Sequence, residues 1–81
     1  MPTEEKYKWY LGDLGHWIRE RALEESKVER APPGSAEHAF REGLRMGYYV
    51  VISHMQGHSE AFGIPLAELC LDELNPERDV L

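Results

Sequence analysis

His54 and His58 stand four residues apart, the spacing at which one helix face offers two imidazoles to a single metal ion. Met55, Gln56 and Gly57 lie between them, so the glutamate of an H-E-x-x-H protease site is missing. A metal at this pair would need a further ligand from Glu60, Tyr7 or a second copy of the chain. The competing expectation is that both histidines are packed polar residues bonded to a tyrosine or carboxylate, with Tyr7 and Tyr10 close by. That second reading is the more economical, and a metal or small-ligand site around His54 and His58 stands as the alternative.

The other reactive side chains point away from catalysis. His16 and His38 fall on polar helix faces. Cys70 sits between Leu69 and Leu71 with no histidine or lysine beside it to lower its pKa, and reads as a small buried apolar residue. Ser53 and Ser59 flank the histidines, but adjacent helical residues point apart and no nucleophile elbow surrounds them. The helical carboxylates form solvated ladders such as Glu4 with Lys8 and Glu37 with Arg41. No catalytic residue and no cofactor is assigned, and the chain is not expected to be an enzyme.

Charge narrows the partners. The net charge of −6 lies mostly in residues 60–81, where six acids face Arg78 alone. No basic patch exists to neutralise phosphates, so nucleic-acid binding is not expected. Residues Ala61 to Leu69 superficially resemble the turn of a helix-turn-helix. The segment that would then read DNA, Pro65 to Leu74, carries Glu68, Asp72 and Glu73 and no base. The acidic tail instead offers a docking surface for a basic protein partner, or simply solubility. The longest apolar run, Tyr48 to Ile52, falls far short of the roughly 20 residues that span a bilayer. One cysteine, no leader pattern and no span imply a soluble cytoplasmic protein.

These residues must be positioned by helices. Apolar residues recur at steps of 3 and 4 from Tyr7 through Tyr10, Leu11, Leu14, Trp17, Ile18 and Ala22 to Val28, giving a helix over residues 4–30. Thr3 is its expected N-cap, and Arg21 and Glu25 are expected to pair within it. Gly12 and Gly15 weaken it locally. Pro32 and Pro33 break the chain, and Ser35 caps a second helix over 36–62. Tyr48 to Ile52 would suit a strand, but the unbroken helical period decides for helix. Gly63 ends it, and a short helical tail, 64–81, is expected to fold across the hairpin's open end, with Asn75 capping a last turn at Pro76.

The second helix carries two apolar seams. Ala36, Phe40, Gly43, Gly47, Val50, His54, Gly57 and Ala61 form one. Phe40, Leu44, Gly47, Val51, Met55, His58 and Phe62 form the other, which is bulkier. A hairpin turning at residue 33 opposes residues whose numbers sum to about 65, placing Glu25 near Phe40 and Trp17 against Gly47. One seam then packs on the first helix, and the seam of small residues is left for a second copy. The expected architecture is all-α: an antiparallel two-helix hairpin with a helical tail, 1–81 forming one domain, pairing into a dimeric four-helix bundle.

Overall fold

The computed structural model describes residues 3–81, apart from the side chain of Thr3. Two long helices, α1 (Thr3–Ser26) and α2 (Ala36–Ala61), pack against each other as an antiparallel hairpin. A 3₁₀ turn at Leu66–Leu69 and a last short helix, α3 (Pro76–Asp79), complete the chain. The Tyr48 to Ile52 run is helical. The N-cap role expected of Thr3 falls on a side chain outside the described residues.

Each helix boundary has a local cause. Ser35 Oγ accepts the amide of His38 at 3.1 Å and so caps α2. At the other end Gly63 adopts a left-handed φ of 70°, and its amide reaches the Glu60 carbonyl at 3.0 Å. Asn75 Oδ1 accepts the amides of Glu77 and Arg78, with Pro76 at the first helical position. The first helix stops at Ser26, four residues before the expected Arg30. The Lys27 and Val28 amides bond the carbonyls of Glu24 and Glu25, and from across the hairpin Arg45, 3% exposed, donates to the carbonyls of Val28 at 3.0 Å and Glu25 at 3.5 Å. No base occupies the last turn of α1, so Arg45 supplies the positive charge its dipole favours.

The core lies between the hairpin and the tail. Ala22 and Ile52 from the helices meet Leu69, Leu71, Leu74 and Val80 from the tail, all buried. Cys70 and Glu73, both in the left-handed region, immediately precede the buried Leu71 and Leu74 and bend the chain around them. The tail does more than close the open end, as the sequence had suggested. It runs along one side of the hairpin: the 3₁₀ turn lies beside Gly12 and Gly15, and the Leu81 carbonyl accepts from Arg30 near the hairpin's turn. Side-chain donors hold its backbone on the way, with Gln56 donating to the carbonyls of Leu71 and Leu74 and Arg19 to that of Cys70.

This side packing rolls both helices away from the expected facing. On α1, Leu11, Ile18 and Ala22 turn inward, while Tyr7, Tyr10, Leu14 and Trp17 are exposed. On α2 the inward stripe is Arg45, Ile52 and Ser59, flanked by Tyr48, Tyr49 and Met55. Neither apolar seam supplies it. A Cβ at Gly47 would meet nothing, so Trp17 does not rest there as expected. The register itself is close to the expected one: Glu25 pairs with Arg41, one residue beyond Phe40. Arg21 pairs with Glu24 at 3.2 Å instead of with Glu25.

Candidate functional site

His54 and His58 share one exposed face of α2, beside Ile64 and Leu69 of the tail. Helical spacing brings the His54 and His58 rings to a centroid separation of 4.9 Å, tilted by 50°. His58 in turn meets the edge of Phe62 at 5.0 Å. With Leu11, Met55 and Leu69 they line a shallow, mostly apolar cavity of about 170 Å³. Both histidines are exposed, so they are not the packed polar residues the sequence suggested. Neither makes a hydrogen bond to Tyr7 or Tyr10 among the described residues. Two imidazoles meet on this face; among the described residues no third histidine, cysteine or carboxylate joins them to form a metal-binding group.

The small-residue seam sits alongside. Ala36, Phe40, Gly43, Gly47, Val50, His54, Gly57 and Ala61 are all exposed. A Cβ added at Gly43, Gly47 or Gly57 would enter open space. The glycines that do meet a neighbour are on α1, where the sequence marked them as weak points. At Gly15 a Cβ would collide with the Leu69 carbonyl, and at Gly12 it would come within 3.2 Å of the Glu68 carbonyl oxygen. They let backbone approach backbone.

The remaining candidates are spread elsewhere. His16 lines a separate groove of about 580 Å³ with Trp9, Gly12, Ala67 and Cys70, on the tail side of α1. Cys70 is half-buried there instead of lying in the core. His38 is half-buried at the hairpin's turn, its Nδ1 3.3 Å from the Ala31 carbonyl. Within the acidic tail, Glu68 faces Lys8 at 3.8 Å and Asp79 accepts from Arg78 at 2.7 Å. The Arg78 bond first, then the Asn75 amide, pull the Asp79 carboxyl down to about 2. Glu60, Asp72, Glu73 and Glu77 remain exposed.

Two residues that sequence reasoning treated as solvated or passed over organise the hairpin's interior. Arg41 reaches both carboxylate oxygens of the buried Glu25, at 2.9 and 3.1 Å, and Glu37 at 3.9 Å. Arg45 adds Glu42 at 2.9 Å, which also bonds Arg30. The available signal was their spacing of four, continued by Ile52 and Ser59 along one helix face. Among the described residues no helix is long and apolar enough to cross a membrane. Compared with known protein families, curated proteins and solved structures, the chain shows no match.

Proposed function

We propose that this chain is a non-catalytic helical interaction module that pairs with a second copy into a four-helix bundle, through Ala36, Phe40, Gly43, Gly47, Val50, His54, Gly57 and Ala61. The observation that carries the reading is that all eight positions of a continuous helical seam are exposed, with open space over Gly43, Gly47 and Gly57. Small residues allow a neighbouring helix to approach at the short end of the usual axis separation of about 8–10 Å. The buried apolar core is small, six of the described residues, and domains of this size commonly draw further stability from oligomerisation.

The test is sedimentation velocity over a range of concentrations, with Gly47→Arg as the variant. The reading expects the wild type to shift from one chain to two as concentration rises, and the variant to remain single while keeping its helical spectrum. A wild type that sediments as one chain throughout would refute it. The rival, a metal or small-ligand site at His54 and His58, rests on the 4.9 Å ring pair. It requires Zn²⁺ or Ni²⁺ to raise the melting temperature.

A further inference from the structure

We infer that the contact with the second copy extends across both helices, so that the aromatic stripe of α1 seats against the Val51, His54 and His58 edge of the partner's α2. This rests on the self-association reading and states which surface mediates it.

The first argument is placement. An α-helix turns about 100° per residue, so residues two apart lie nearly opposite each other. Tyr10 and Leu14 each stand two positions from Gly12, and Trp17 two from Gly15, the glycines against which the tail is laid. Val51 stands two from Tyr49, whose hydroxyl reaches Glu77, and His54 and His58 each two from Gln56, which holds the tail's carbonyls. The stripe on α1 and the adjoining part of α2 therefore share the side of the hairpin away from the tail. Trp17 is 55% exposed and Tyr10 64% exposed, far more than packed aromatics would be.

The second argument is area. A folded monomer of 9.4 kDa exposes roughly 5,000 Å². This chain exposes 5862 Å², a surplus of about 850 Å², close to the roughly 800 Å² that each partner buries in an interface of standard size. The hairpin is a slab of 50 × 23 × 17 Å, and stacking two through their thin dimension gives the proportions of a four-helix bundle.

The third argument is charge. Residues 46–59 contain no Asp, Glu, Lys or Arg, and from Tyr7 to Trp17 the exposed stripe is uncharged. Arg21, next along it, is turned to the Trp17 ring and to Glu24. A basic or acidic partner finds nothing on this face to pair with. A second copy loses nothing by covering it, and its acid-rich tail stays on the outer side, away from the first.

Trp9→Phe leaves Trp17 as the sole indole and makes the inference measurable. From about 1 µM to about 1 mM, Trp17 emission should move to the blue with the same midpoint as the change in sedimentation. Leu14→Glu and Tyr10→Glu, both at exposed positions, should weaken association about tenfold or more without altering the helical spectrum of the dilute protein. If the chain pairs while Trp17 emission stays fixed and both variants pair normally, the α1 stripe is outside the contact and this inference falls, though self-association survives. If no pairing occurs at any concentration, both fall together.

Discussion

The backbone of α1 at Gly15 passes so close to the carbonyl of Leu69 that no side chain fits between them. Gly15→Ala should therefore force the 3₁₀ turn away and destabilise the fold by about 1–3 kcal/mol, despite alanine's better helix propensity. Thermal melting checks the sign. A more stable variant would mean that the tail does not lie against α1 as described.

The seam glycines should behave in the opposite way when the chain is dilute. Gly43→Ala and Gly57→Ala each gain about 1 kcal/mol of helix propensity in an open position. In the paired state the added methyl meets the second copy and costs stability. Melting curves of both variants should cross those of the wild type as concentration rises. Stabilisation at every concentration would count against the interface.

The Glu25–Arg41 pair joins the helices at 2.9 Å, with the Glu25 side chain only 11% exposed. A double-mutant cycle with Glu25→Gln and Arg41→Gln should return a coupling of about 1–2 kcal/mol, more than an exposed pair gives. Arg45→Met should lower stability further, by leaving the carbonyl of Val28 without its donor.

Acid should loosen the end of the tail first. Asp79 is held ionised by Arg78 and by the Asn75 amide, which lowers its carboxyl from 3.8 to about 2. The folded state therefore favours the carboxylate, and this contribution is present above pH 3.8 and is lost as pH falls through about 2. Amide exchange at Val80 and Leu81, whose N–H groups bond the Pro76 carbonyl, should quicken over that window. Asp79→Asn should make the exchange fast already at neutral pH.

How much of this was legible follows from what each residue type signals. Ser35, Gly63 and Asn75 mark boundaries through local backbone chemistry and act where the sequence places them, whereas α1 ends at Ser26, ahead of Pro32 and Pro33. The hairpin register was legible to one residue, because loop length sets it. The inward face of α2 was not. Arg41 reads as solvent-facing and Arg45 has no role assigned from sequence, yet a guanidinium can be buried when carbonyls and carboxylates from the other helix satisfy it. Gly12 and Gly15 were misread for a related reason: propensity reports the cost of a glycine but not the backbone that will pass beside it. The tail's path depends on that passage, and with it the side of the hairpin left bare. The two histidines were correctly placed on one turn, but their exposure follows from the roll of α2, which no local pattern encodes.

Sedimentation equilibrium of the intact chain, taken from micromolar to millimolar concentration, tests the central claim most directly. We expect the mass to rise from that of one 9.4 kDa chain to twice that value and then to level off. A mass of one chain across the whole range would contradict the account, because the bare face would then remain in water with no second copy to cover it.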